Sequence, residues 1–331
     1  LTIKTDLTVK KIIIENKKAI GVECISRKEV INYYADGEVL LSAGAINSPQ
    51  ILMLSGLGSQ KQLNEHGINT MVNLEGIGQN LQDHLETYVQ YECTKPVTLF
   101  NEYNPINMAL TGIEWFLFKT GTAAHSNLET GGFARSNDLV DYPNIQYHFF
   151  PSLVLDHGRT NPDRHAFQAH VGPMRPTSRG EIKLKSDDPY EAPSIRFNYM
   201  QTEHDLKEMR EGIRLAREIF QQKAFDEFRG KEINPGNVDN DNDLNEFIRN
   251  KGDTAYHPCG TCKMGKDNTS VVNEKLQVYE IENLRVVDAS IMPKIITGNL
   301  NATTVMIAEK ASDYILGQSL PANNVEFYRA G

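Results

Sequence analysis

Residues 256–265 read Tyr-His-Pro-Cys-Gly-Thr-Cys-Lys-Met-Gly, which sets a C-x-x-C pair, Cys259 and Cys262, just after His257. Zinc binding, dithiol redox chemistry and general-base catalysis all use such residues. A zinc deaminase joins H-x-E to P-C-x-x-C, and the chain holds both His84-Leu85-Glu86 and Pro258-Cys259-Gly260-Thr261-Cys262. The two halves lie about 170 residues apart, whereas a compact deaminase core supplies them from neighbouring helices. A reactive dithiol wants its first cysteine at the start of a helix, and Gly265-Lys266-Asp267-Asn268 allow only a short turn. A structural zinc needs two further ligands, and Cys24 and Cys93 lack the spacing. The cysteines therefore read as small packing residues, with no metal. His257 differs, because Pro258 restricts the backbone around it and its ring is aimed in a defined direction. A satisfied core histidine is the ordinary reading of such a residue, and a base working near neutral pH is the other.

The elements that must carry these residues are of two kinds. Leu7–Ile14 and Ala19–Ile25 are β-rich runs joined by a polar turn, and Glu38–Ala43 reads as a strand buried on both faces of a parallel sheet. Ser48-Pro49 is expected to cap and open a helix that runs to Ser55 and stops at Gly56-Leu57-Gly58. Leu284–Ala289 is a further strand, ending at Asp288, and Asn301–Leu316 is an apolar helix. Between these α/β ends the chain turns sheet-rich, with Ile145–Phe150 and Gly180–Lys185 as strands. In that middle part Thr202 opens an amphipathic helix whose Leu206, Met209, Ile213, Ala216 and Phe220 share a face. The expected fold is α/β in two domains: 1–90 with 251–317, sheet-based 91–250 between them, and a tail at 318–331.

Composition narrows the function. At 331 residues, 40% apolar and 23% charged, the chain can bury a large core. A formal net charge of −9 without a basic run argues against nucleic acid as a partner. Four cysteines suit a reducing compartment, and no apolar run is long enough to cross a bilayer. The protein is expected in the cytoplasm or peripherally attached to a membrane. The chain opens at Leu1 within strand-like sequence and is expected to be the C-terminal part of a longer protein.

Three stretches together, Ser42–Gly58 (SAGAINSPQILMLSGLG), Tyr256–Gly265 (YHPCGTCKMG) and Leu284–Ile315, resemble the glucose-methanol-choline family of flavoprotein oxidoreductases, in family order and over essentially the whole chain. His170–Gly180, Arg196–Met200 and Thr297–Thr304 resemble its choline-oxidising branch most. The resemblance implies an incomplete Rossmann-like FAD-binding domain with a substrate-binding domain. It also implies FAD as cofactor, oxidation of a primary alcohol, and a quinone or other electron acceptor. Choline would become betaine aldehyde and then glycine betaine, at the mitochondrial inner membrane in a eukaryote. A family dehydrogenase for a neutral primary alcohol and a flavin-free binding protein are the alternatives.

By the same resemblance, His257 is the base acting on the substrate hydroxyl and Asn301 orients that hydroxyl, with capping of the last helix as the plainer role for Asn301. Val9 meets the adenine, Asp288 and Ala289 meet the phosphates and ribityl chain, and Asn299, Asn301, Ala302 and Thr303 belong to the flavin-binding turn. A quaternary ammonium group donates no hydrogen bonds, so it needs a carboxylate or aromatic faces. Glu86 matches that carboxylate, His148 a second active-site histidine, and Tyr256 can form one wall. The chain departs from the family in two ways: it lacks the G-x-G-x-x-G of the first βαβ unit, and it has Leu300 where many members have proline. A protein limited to these residues is expected to bind FAD poorly.

Overall fold

The computed structural model describes residues 1–318 apart from Glu129, and the side chain of His157 is not described. The tail expected at 318–331 thus lies, from residue 319 on, outside the described residues. The described chain divides into two compact units, one built from 1–83, 178–199 and 256–318, the other from 84–177 and 200–255.

In the first unit Thr8–Glu15, Lys18–Ser26 and Glu29–Tyr34 form an antiparallel meander. Asn16 and Lys17 take left-handed backbone angles at its first turn, as a tight polar hairpin requires. Val39–Leu41 pairs in parallel with Leu284–Val286. The strand is not buried on both faces as its composition suggests: Val39 and Leu41 are buried while Leu40 is 49% exposed. One apolar core joins Leu52, Met53, Leu57 and Leu63 to Val271, Val272, Leu284, Val286 and Ile307. Gly180–Lys185, expected in the middle domain, belongs here: Glu181–Lys183 pairs with Ser194–Arg196, and Ile182 and Leu184 enter this core.

The first helix spans Gly44–Leu54, opening before the Ser48-Pro49 start that sequence suggests and leaving Pro49 inside it. A proline there has no N–H for the carbonyl four residues back, that of Ala45. The Thr261 hydroxyl donates to that oxygen at 2.6 Å. Ser48 takes another part, accepting from Ala43 N at 3.0 Å and donating to Asp288 Oδ2 at 2.5 Å.

The second unit is a six-stranded antiparallel sheet. Its main path runs Arg229–Asn234, Leu85–Cys93, Ala166–Pro173, Ile145–Phe150, Thr130–Ala134, with Asp253–Thr254 pairing the start of Leu85–Cys93. The Glu203–Phe220 helix packs on one face, its N-terminus capped by Thr202 and its Leu206, Met209, Ile213, Ala216 and Phe220 all buried. Gly212 lets helix and sheet approach closely, since a Cβ there would stand 2.8 Å from Val171 and 3.2 Å from Ile145. A helix not expected from sequence, Pro105–Phe118, starts with Asn104 accepting from Ile106 N at 2.9 Å and Pro105 in its first turn. None of its residues is buried.

Candidate active site

In the first unit, His257 is fixed from several directions. Tyr256 has a left-handed backbone (φ 61°), a conformation that non-glycine residues adopt at a cost and that gathers at functional sites. Its side chain is 74% exposed. The His257 N–H donates to Asp83 Oδ1 at 2.8 Å, and the hydroxyl of Tyr199 donates to Asp83 Oδ2. At the other end of the ring, Asn299 Nδ2 stands 3.2 Å from His257 Nε2. An amide NH2 only donates, so Nε2 presents its lone pair and the ring proton sits on Nδ1. With Asn299 Nδ2 as the donor, Nε2 is the accepting nitrogen of the ring, the position from which a general base takes a proton.

The cysteines beside it are inert by position. Cys259 and Cys262 are fully buried free thiols, the first held in the backbone by mutual bonds with Gln82 and the second donating its N–H to Ser290 O at 2.8 Å. Burial, aided by the Asp83 charge, pushes the Cys259 thiol up to about 12, and burial likewise raises that of Cys262. A thiolate, the form that attacks disulfides or binds zinc, is thus disfavoured at both. Gly260 between them has φ +91°, and a Cβ there would come 2.6 Å from Asn80 O. His84 donates to Met174 O at 3.0 Å within the second unit, and among the described residues no three His, Cys, Asp or Glu side chains gather as a metal site.

The residues expected at the flavin also fall in the first unit. Asp288 is buried and clasps two chain turns: Oδ2 accepts from Gly44 N at 2.9 Å and from Ser48 Oγ, and Oδ1 accepts from Ser290 N at 2.8 Å. Its carboxylate is thereby engaged inside the fold, alongside the half-buried Ala289. Asn301 is the first residue of the Asn301–Leu316 helix rather than its side-chain cap, and no side chain caps this helix. Its first turn contains no acid, while Asn299, Asn301 and Ala302 are exposed and Thr303 is half-buried. Uncapped N–H groups at the positive end of a helix suit an electron-rich ring edge such as the flavin pyrimidine, so these residues fit the expected cofactor. Val9 lies half-buried on the Thr8–Glu15 strand opposite Cys24.

The second unit shows where Glu86 and His148 lie. Successive strand residues point to opposite faces, and Thr87, Tyr91, Tyr147, Phe149 and Phe167 lie on the face that holds the helix and its aromatic cluster. The other face is polar. Glu86, Tyr88 and Gln90 come from one strand, Gln168 and His170 from the next, and Gln146 and His148 from the third. His170 stands directly opposite Tyr88 on one side and His148 on the other. Its Nδ1 meets Glu86 Oε1 at 2.7 Å, its Nε2 meets Gln168 Nε2 at 2.7 Å, and Gln146 Nε2 meets His148 Nε2 at 3.0 Å. Sequence reasoning found Glu86 and His148 but missed His170, Gln168, Gln90 and Tyr88. Their signal was the two-residue alternation E-T-Y-V-Q, Q-Y-H and Q-A-H.

Two family models, both described as GMC oxidoreductase, match residues 1–86 and 176–308. A choline dehydrogenase, mitochondrial, of Homo sapiens is 50% identical over 321 residues, covering 96% of this chain and 54% of its own length. An oxygen-dependent choline dehydrogenase of Proteus mirabilis is 50% identical over 335 residues, covering 100% of this chain and 60% of its own. The chain thus spans a little over half the length of the curated relatives it matches. A solved structure concerning FAD modification in the formate oxidase of Aspergillus oryzae superposes with a TM-score of 0.88 at 27% identity, covering 94% of this chain and 60% of that one. With the Thr8–Tyr34 meander, the His257 turn and the Asp288 clasp lying inside matched segments, the chain belongs to the GMC oxidoreductase family.

Proposed function

We propose that the natural protein oxidises choline to betaine aldehyde with FAD, and that the hydrated aldehyde passes through the same site to glycine betaine. The observation that carries the reading is His257, whose Nε2 accepts a hydrogen bond while its backbone is tied to Asp83. Support comes also from relatives at 50% identity that are named choline dehydrogenases. FAD, held by the Asp288-Ala289 strand end and the 299–303 turn with Val9 toward the adenine, would supply the acceptor for the hydride of the carbinol carbon.

This chain's residues do the rest. The Nε2 lone pair of His257 takes the hydroxyl proton, a transfer worth about 10²–10⁴ in rate when a base is positioned. Asn301, in the first turn of its helix, donates to the oxygen as it gains charge. For a trimethylammonium group the resemblance offers the charge of Glu86, with His148 as a second histidine, and an aromatic face from Tyr256. A quinone or another acceptor takes the electrons. Peripheral attachment to a membrane, at the mitochondrial inner membrane in a eukaryote, accords with the described residues, where no helix is long and apolar enough to cross one.

The test uses the full-length flavoprotein and compares choline with its neutral isostere 3,3-dimethylbutan-1-ol. Choline is expected to bleach the flavin anaerobically, His257→Ala to lose about 10²–10⁴ in kcat/KM, and Glu86→Gln to lose the preference for the cation. Equal use of both alcohols, unaltered by Glu86→Gln, would refute choline as substrate, and a spectrum without flavin would refute the chemistry.

A further inference from the structure

We propose that His170 is a positioning residue that holds Glu86 as an oriented acceptor for the substrate cation, and that Gln168 locks His170 in the one tautomer able to do so. This rests on the reading that Glu86 binds the cationic head.

The proton positions follow from a chain of groups whose roles cannot be exchanged. The backbone N–H of Val154 is a donor, and it meets Gln168 Oε1 at 2.8 Å. Gln90 Nε2 reaches the same oxygen at 2.7 Å, while Gln90 itself is oriented by Asn234 Nδ2 on its Oε1 at 2.5 Å and by its own donation to Val154 O at 3.2 Å. Gln168 Oε1 is therefore the acceptor, which leaves the Gln168 NH2 to face His170 Nε2 at 2.7 Å. An NH2 group only donates, so His170 Nε2 carries the lone pair and Nδ1 carries the proton. That proton points at Glu86 Oε1, 2.7 Å away. An imidazolium would turn a second N–H against the Gln168 amide. The network thus orients the ring so that Nδ1–H is donated to Glu86 Oε1 while Nε2 accepts from Gln168.

The surroundings also hold the carboxylate in place. Glu86 and His170 are both largely buried, with side chains 11% and 13% exposed. The His170 ring packs against Tyr88 at 4.5 Å between centroids, and His148 and Phe150 approach it edge-on at 6.4 and 6.5 Å. A ring boxed in this way is held in place, and the carboxylate bound to it is fixed with Oε1 toward His170. A carboxylate held in place beforehand loses less freedom when a cation arrives.

The holoenzyme, expressed with all of its natural chain, supplies the test. His170→Ala is expected to raise the KM for choline about 10- to 100-fold, the range for losing a hydrogen bond to a charged group. In the same variant kcat falls by far less, and the KM for 3,3-dimethylbutan-1-ol stays within a few-fold. His170→Asn, whose amide nitrogen can stand near the Nδ1 position, restores most of the preference for choline. A His170→Ala enzyme that loses both alcohols equally, or neither, overturns the proposal, as does a His170→Asn enzyme no better than alanine. Glu86→Gln separates the two ideas: if it leaves the cation preference intact, the underlying reading fails. If it abolishes that preference and His170→Ala does not, only the role of His170 fails.

Discussion

Replacing Thr261 with valine isolates a single hydrogen bond beneath the active-site turn. The Thr261 hydroxyl donates to Ala45 O at 2.6 Å, and Thr261 is wholly buried. The helical donor that would otherwise serve this carbonyl is the N–H of residue 49, which is proline. Valine has nearly the same shape as threonine, so the substitution opens no cavity and leaves the carbonyl of Ala45 buried without its donor. A buried polar group stripped of its partner costs about 1–3 kcal/mol. Taking 1–2 kcal/mol, opening of the Gly44–Leu54 helix becomes about 5–30 times more frequent. Hydrogen exchange over 44–54 measures this directly, whereas the single tryptophan, Trp115, lies in the other unit and would not report it. Pro49→Ala supplies an N–H at the missing position, so Thr261→Val should be markedly milder in that background, with a coupling of about 1 kcal/mol. Unchanged protection over 44–54 in Thr261→Val, or strictly additive effects in the double variant, would refute the reasoning.

Asp288→Asn sets an amide against Gly44 N–H and Ser48 Oγ or against Ser290 N–H, so faster exchange over 44–54 is expected, with a loss of about 1–3 kcal/mol in local stability. The thiol of Cys259 is raised from its ordinary value of 9.0 to about 12. Above pH 9 the unfolded chain therefore releases protons that the folded chain keeps, and the stability present below pH 9 declines toward pH 12. Urea midpoints at pH 8 and pH 10 should show this slope, reduced in Cys259→Ala/Cys262→Ala. A thiol-specific disulfide reagent at pH 8 should label half-buried Cys93 well before buried Cys24, Cys259 and Cys262. The same double variant should keep measurable turnover in the full-length enzyme, where His257→Ala loses most of it.

The elements most legible in the sequence are those whose local signals agree with their packing. The Glu203–Phe220 helix has its cap and its apolar face where periodicity places them, and the 8–26 hairpin follows its polar turn. The first helix is misplaced because Ser48-Pro49 imitates a helix start. What settles the matter is remote: the Asp288 carboxylate receives Gly44 N–H, and Thr261 occupies the carbonyl that Pro49 leaves without a donor. Both partners lie more than 200 positions away in the chain, beyond the reach of any local rule. The Pro105–Phe118 helix escapes for the opposite reason. Its Asn104-Pro105 start is a good signal, but apolar residues surround it on every side, and 3.6-residue periodicity needs a polar face to stand out against.

The candidate site divides along the same line. His257 is legible because Pro258 and the C-x-x-C make its neighbourhood conspicuous, although the cysteines that draw attention to it are buried thiols. Glu86 and His148 are legible only by resemblance, and His170 lies inside a stretch that resembles the choline-oxidising branch without standing out in it. In strands that cross a two-faced sheet, chemistry is written as alternation: every second residue of 86–90, 146–150 and 166–170 faces the polar side, and the residues between them hold the Glu203–Phe220 helix. No single strand discloses this, since a lone glutamine or histidine at alternate positions is ordinary on a solvated face. Register does so, because pairing sets His170 between Tyr88 and His148 and sets Gln168 against Gln90. A one-residue slip in any of these strands would turn its polar set into the helix-packed core. The burial of Val171, Ile145 and Ile213 that excludes such a slip therefore also keeps Gln168 and His170 on the polar face.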